Sequence, residues 1–226
     1  MRIGGFEKQS FVDWEGKTTA VVFTKGCNFR CSFCHNPELV YPKIMEQSAD
    51  IPESDVFDFL STRKNWLDGV VITGGEPTIQ KDLKEFIVNV KQMGFAVKLD
   101  TNGSLPKILK DLIKADLLDY VAMDIKTIFE IVAYQNICGI EDQQLLLKVQ
   151  ESIGILKESG IDYQLRTTVV SHLHTKEMID TLQEELSYCN YRLQKYREIK
   201  VALSDPTSRS SGLQMEEGLS VIQTIK

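Results

Sequence analysis

The chain has 226 residues, a net charge of −6, 42% hydrophobic and 26% charged residues, the composition of an ordinary soluble globular domain with room for a full core. Its longest apolar runs, such as LLDYVAM, fall far short of the about 20 residues a bilayer span requires. The opening MRIGGFEKQSF lacks the apolar centre of a secretion signal, and no basic cluster offers a row of phosphate contacts. A cytoplasmic protein with no membrane and no nucleic-acid partner is expected.

In chain order, residues 1–18 read as an N-terminal extension. TAVVFTKG (19–26) is a buried strand, rich in valine and ended by glycine. An insert spans 35–68 and carries one helix over 53–65, with Val56, Phe57 and Leu60 on its apolar face. GVVITGGEP (69–77) is the second strand. Thr78 is the expected cap of a helix whose Leu83, Phe86, Ile87 and Val90 recur at i, i+3, i+4, i+7 before Gly94. FAVKLDTNG (95–103) is the third strand, followed by a helix with Ile108, Leu109, Leu112 and Ile113. YVAMDIK (120–126) is the fourth. Leu145, Val149, Ile153 and Leu156 mark a longer helix that Gly160 ends, and YQLRTTVV (163–170) is the fifth strand. Thr175 caps a helix with Met178, Ile179, Leu182 and Leu186, and EIKVAL (198–203) is the sixth strand. The stretch 204–218 reads as a surface loop within a polar tail, 204–226.

Repeated β–α units with short connections imply parallel strands and right-handed crossovers. One domain over 1–226 is expected, with a core at about 19–203 folded as an α/β partial (β/α)6 TIM-like barrel. A full eight-unit barrel takes about 250 residues; a doubly wound open sheet is the runner-up.

The unusual residues all fall at strand ends, where parallel α/β folds bind ligands. Cys27 follows the first strand; Gly74, Gly75, Glu76 and Pro77 follow the second; Asp100, Thr101, Asn102 and Gly103 follow the third. Asp124 and Lys126 close the fourth, and Arg166 lies in the fifth. Alone, GGEP or DTNG reads as a turn. Five successive strands delivering such residues to one rim do not.

Of five cysteines, Cys27, Cys31 and Cys34 are clustered as C-x3-C-x2-C, while Cys138 and Cys189 read as isolated core thiols. The odd count argues against a disulfide framework. A Cys3His zinc site with His35 would demand a sharp turn, since His35 directly follows Cys34, and zinc ligands usually come as two separated pairs. Soft thiolates also select iron–sulfur clusters, which usually take four cysteines. A cubane held by three leaves one iron with an open position.

C-x3-C-x2-C after the first strand, with Phe33 before the last cysteine and GGEP after the second strand, resembles the radical S-adenosylmethionine (SAM) enzymes. KGCNFRCSFCHNPELV looks like the activating enzymes of glycyl radical enzymes. IGGFEKQSFVDWEGKTTAVVFTKGC and YQLRTTVVSHLHTKEMI look most like anaerobic ribonucleoside-triphosphate reductase activating proteins, with Ser171 standing where that branch has proline. The resemblance implies a [4Fe-4S] cluster on Cys27, Cys31 and Cys34, SAM on the open iron, and reductive cleavage to methionine and a 5′-deoxyadenosyl radical. It implies that this radical takes a hydrogen from a glycine of a partner enzyme, and that a flavodoxin or ferredoxin-type protein supplies the electron. Phe33, Gly74, Gly75, Glu76, Asp100, Thr101, Asp124, Lys126 and Arg166 are then the expected cofactor-binding residues. Gly74, Gly75 and Glu76 would meet the methionine amino group. Asp100, Thr101 and Asp124 would lie near its carboxylate, with a monovalent cation between the charges. Lys126 and Arg166 would offer positive charge to the carboxylate or ribose, or else pair across the rim. His35 and Asn36 would position the cluster loop. His172 and His174 read as loop residues, Trp14 and Trp66 as packing.

Two rivals stand beside this reading: the same chemistry on a small molecule such as a modified-nucleoside precursor, and a zinc-stabilised domain or simple electron carrier. Gly75→Val is expected to spare the cluster and weaken SAM binding by blocking backbone approach. Cys31→Ala is expected to abolish both iron–sulfur absorbance and SAM cleavage; cleavage retained by this variant would mean that the ligands are wrongly chosen.

Overall fold

A computed structural model describes residues 1–196. The strand expected at 198–203 and the tail at 204–226 lie outside the described residues. Seven strands form one sheet in the order β1 to β7: β1 (Ile3–Ser10), β2 (Thr19–Thr24), β3 (Gly69–Gly74), β4 (Ala96–Thr101), β5 (Tyr120–Asp124), β6 (Asp162–Val169) and β7 (Tyr191–Lys195). Strands β2 to β7 are parallel, and β1 joins β2 antiparallel. The partial TIM-like barrel is thus present, with two strands that were not expected. The extension 1–18 supplies one of them, and a sixth parallel strand falls at Tyr191–Lys195.

Eight helices accompany the sheet among the described residues: α1 (Pro37–Val40), α2 (Pro42–Met45), α3 (Glu53–Ser61), α4 (Leu83–Gln92), α5 (Pro106–Lys114), α6 (Ile131–Cys138), α7 (Gln143–Ser159) and α8 (Lys176–Glu185). None is long and apolar enough to cross a membrane. Leu83, Phe86, Ile87 and Val90 of α4 are all buried, as their spacing demands. Gly160 ends α7 in the left-handed conformation, φ +74°. The Thr175 side chain accepts from the Met178 N–H to cap α8. Thr78 is no such cap: Pro77–Ile79 form one 3-10 turn, and Asp82 precedes α4. Helix α6 went unforeseen.

Alternation along the strands divides the core in two. Ala20, Val22, Val70, Ile72, Val97, Leu99, Val121, Met123 and Leu165 meet the helices in the main cluster. Val21, Phe23 and Val71 point the other way, into the barrel, with Trp14 and Leu39. Trp14 packs against the starts of β3, β4 and β5, touching the Gly69, Ala96 and Tyr120 positions, and so closes the barrel floor. Trp66 is 74% exposed, which corrects its reading as a packing residue.

Leu99→Ala should destabilise the cluster-free chain by about 2–5 kcal/mol, because the fully buried side chain leaves a cavity between β4 and its helices. Urea denaturation under reducing conditions measures it.

Candidate active site

The expected rim residues do come together at the C-terminal ends of β2 to β6. The loop after β2 carries Cys27, Cys31 and Cys34, all half-buried free thiols. Its entry is fixed by backbone: the Gly26 N–H donates to Leu39 O at 2.6 Å, and Gly26 O accepts from the Glu76 N–H at 2.8 Å. Cys27 Sγ accepts from the Phe29 N–H at 3.3 Å. Asn102 Nδ2 donates to Asn28 Oδ1 at 2.9 Å, tying the cysteine loop to the end of β4.

Glu76 is the most tightly held group of the site. Its Oε1 accepts from the Thr78 N–H (3.1 Å), the Thr78 hydroxyl (2.5 Å) and the Thr101 hydroxyl (2.7 Å), and Oε2 accepts from the Asn102 N–H at 2.7 Å. Burial pushes its carboxyl up, while these donors pull it back toward the charged form. The expected contact with a methionine amino group is therefore not what this side chain is arranged for. It fastens GGEP to DTNG, leaving main-chain groups for a ligand.

The charged residues form one network. Arg166 Nε donates to Asp124 Oδ1 at 2.8 Å, and its Nη2 lies 3.3 Å from Asp100 Oδ2. Lys126 Nζ donates to Asp124 Oδ2 at 2.9 Å, and Lys98 Nζ lies 3.3 Å from Asp100 Oδ1. Burial alone would raise the Asp124 carboxyl, but Arg166 and Lys126 outweigh it and hold the group well below the usual carboxylate range. Protein cations thus already stand between the two carboxylates, where a monovalent cation was expected. Lys126 and Arg166 are rim ion pairs. Thr101 serves Glu76, as above.

Phe33 is buried with its ring edge-on to His174 and Tyr196, at centroid distances of 6.1 and 6.3 Å. It packs the cysteine loop onto protein. His35 stacks on Tyr196 at 4.9 Å. Asn36 sits at the N-terminus of α1 and makes no side-chain cap bond. His174 is no loose loop residue: its Nδ1 accepts from the Val170 N–H at 3.0 Å, and its Nε2 meets Lys126 O at 2.8 Å. It holds the backbone of Lys126. His172 is exposed.

Cys138 is the buried core thiol that was expected. At the end of α6 it lies beside Cys31, because the Arg30 N–H donates to Cys138 O at 2.7 Å and the Ser32 N–H to Ile137 O at 3.0 Å. The neighbouring Cys138 thiol, against the effect of burial, brings Cys31 down to about 7, while burial pushes Cys27 up to about 12 and raises Cys34. Sequence offered no spacing signal for this neighbour, because 103 residues separate it from Cys34. Cys189 is half-buried against the main core.

The donor set fits an iron–sulfur cubane better than a single ion. Among the described residues no group of three His, Cys, Asp or Glu side chains closes on one point. A cubane asks for less convergence, since each thiolate binds a different iron.

A profile of the Radical SAM superfamily matches residues 21–189. The chain belongs to that superfamily. Its enzymes use a [4Fe-4S] cluster and SAM. The chain is 33% identical over 199 residues to a Methanocaldococcus jannaschii protein provisionally named a glycyl-radical enzyme activating enzyme, covering 86% of this chain and 79% of that one. It is 35% identical over 140 residues to the pyruvate formate-lyase-activating enzyme of Listeria monocytogenes, covering 56% and 54%. It is 27% identical over 190 residues to the 7-carboxy-7-deazaguanine synthase of Thermococcus kodakarensis, covering 71% and 72%. Among solved structures, SuiB of Streptococcus suis bound to SAM superposes with TM-score 0.58 at 19% identity over 80% of this chain, which spans 41% of that structure.

Gly75 changes its meaning in the structure. A Cβ there would collide with the carbonyl oxygen of Gly26, one residue before Cys27. Gly75→Val should therefore lower iron content after anaerobic reconstitution as well as SAM affinity, contrary to the expectation that it spares the cluster; iron assay and equilibrium dialysis read the two separately.

Proposed function

We propose that this radical SAM enzyme is an activase: it generates a radical from SAM and directs it at a glycine of a partner glycyl radical enzyme, with anaerobic ribonucleoside-triphosphate reductase as that partner. The observation that carries the proposal is the three-thiol loop fastened to the ends of β3 and β4, in a chain whose HNPELV segment follows the third cysteine. The relative from M. jannaschii supports the activase class through its name.

When bound, the cluster supplies one low-potential electron to the SAM sulfonium, and the cleavage yields methionine and a carbon radical. The protein's task is to hold and orient. Cys27, Cys31 and Cys34 would hold three irons, and main-chain groups of Gly74 and Gly75 would meet the methionine amino group. At the strand ends Lys98, Lys126 and Arg166 face Asp100 and Asp124, with the half-buried Asp13 carboxyl beside Lys98, Arg166 and Asp100. Lys126 and Arg166 would offer their positive charge to the cofactor's carboxylate. Phe33 and Tyr134, both buried, help keep water from the loop. A flavodoxin or ferredoxin-type protein is the electron donor on this reading.

The likeness to 7-carboxy-7-deazaguanine synthase favours a second reading, radical chemistry on a small modified-nucleoside precursor. Electron paramagnetic resonance separates the two. The reconstituted chain, mixed with SAM, a reductant and candidate reductases, should give a glycyl radical doublet that the Cys31→Ala variant does not. SAM cleavage without a doublet for any glycyl radical enzyme would favour the small-molecule reading.

A further inference from the structure

Two hydrogen-bond donors face the sulfur of Cys27. One is main chain, the Phe29 N–H at 3.3 Å. The other is the side-chain amide of Asn102, whose Nδ2 lies 4.0 Å from Cys27 Sγ. Asn102 follows β4 directly and is 5% exposed. Its N–H donates to Glu76 Oε2 at 2.7 Å, and its Oδ1 accepts from the Ser104 N–H at 2.9 Å. A main-chain N–H can only donate, so the amide oxygen must lie on the Ser104 side and the NH2 group on the other. Nδ2 then gives one proton to Asn28 Oδ1 at 2.9 Å, and its second proton is left for the sulfur. Asn28 is itself held, its Nδ2 donating to Ser104 Oγ at 2.7 Å. The Asn102 amide cannot turn away without breaking its bonds to Ser104 and Asn28.

We propose that Asn102 is a tuning residue: its side-chain N–H, aimed at Cys27 Sγ, raises the reduction potential of the cluster. The proposal rests on Cys27 as a cluster ligand. Negative charge on the ligand sulfurs grows when a cluster takes an electron, and an N–H dipole pointed at one of them favours the reduced form. At 4.0 Å the contact is long for a hydrogen bond to sulfur, so its effect is that of a dipole on a charge. Burial of the amide keeps solvent from screening that effect. The donor reaches the sulfur from a different strand than the cysteine loop, and its aim is set by the same fastening that holds Glu76.

The test is a redox titration of the reconstituted full chain without SAM, followed by electron paramagnetic resonance. Asn102→Leu, close in volume and without the donor, should titrate at a more negative midpoint. At a fixed solution potential its ratio of reduced to oxidised cluster should be about threefold lower. Asn28→Ala removes a bond between the same two loops but leaves the Asn102 N–H on the sulfur, and should titrate as the wild type does. A midpoint unchanged in Asn102→Leu, or shifted equally in Asn28→Ala, would overturn the proposal. The wild type gives a second reading that no misfolded variant can blunt. With an isotopic label only at the asparagine side-chain amides, pulsed resonance of the reduced cluster should show a nitrogen coupling that Asn28→Ala retains; no coupling in the wild type would also overturn the proposal. Cys27→Ala checks the ligand assignment separately. Full iron loading by that variant would refute the assignment, whereas lost iron beside an unshifted Asn102→Leu would refute the tuning alone.

Discussion

A single buried carboxylate holds the mouth of this barrel together. Glu76 accepts four hydrogen bonds, two from its own turn and two from the end of β4. A carboxylate this deep is costly unless its lone pairs are filled, and here each oxygen is used. The next link runs through the main chain, where the Glu76 N–H donates to Gly26 O just ahead of the cysteines. Loops from three strands thus share one fastening. The position of Cys27 is set by residues that need not touch any ligand themselves.

The barrel interior has two chemistries stacked along its axis. At the floor, Trp14 and Tyr120 pack with Val21, Phe23 and Val71 in an apolar plug. Beside and beyond them the inward positions of β4, β5 and β6 turn charged: Lys98, level with Val71 and Tyr120, then Asp100, Asp124 and Arg166. Along β4, half-buried Ala96 gives way to Lys98 and then Asp100 at alternate residues, so one strand spans the whole gradient. Low dielectric below strengthens the ion pairs above.

Much of this was legible in the sequence because strong local signals and the global fold agree. The valine-rich strands, the α4 spacing, Gly160 and Thr175 each specify one structure, and the motifs at five strand ends located the site. What escaped had weak or misleading local signals. IGGFEKQS of β1 carries two glycines and four polar residues, and pairs only because β2 offers it an edge. YRLQK of β7 is too polar to stand out as a strand. IVAYQNIC of α6 has apolar residues on several faces, four of them buried, so it shows little periodicity. The roles of Glu76 and Cys138 are tertiary facts. No spacing rule connects Glu76 to Thr101, or Cys138 to Cys31.

The clamp between the cysteine loop and the end of α6 has a consequence for the order of assembly. Residues 30 and 32 bond to residues 138 and 137, so more than half of the described chain must be in place before the loop has its seat. Contacts so distant in sequence form late, because their loop-closure entropy must be met first. A zinc finger folds around its metal; here the seat of the cysteine loop is built from chain far beyond it in sequence.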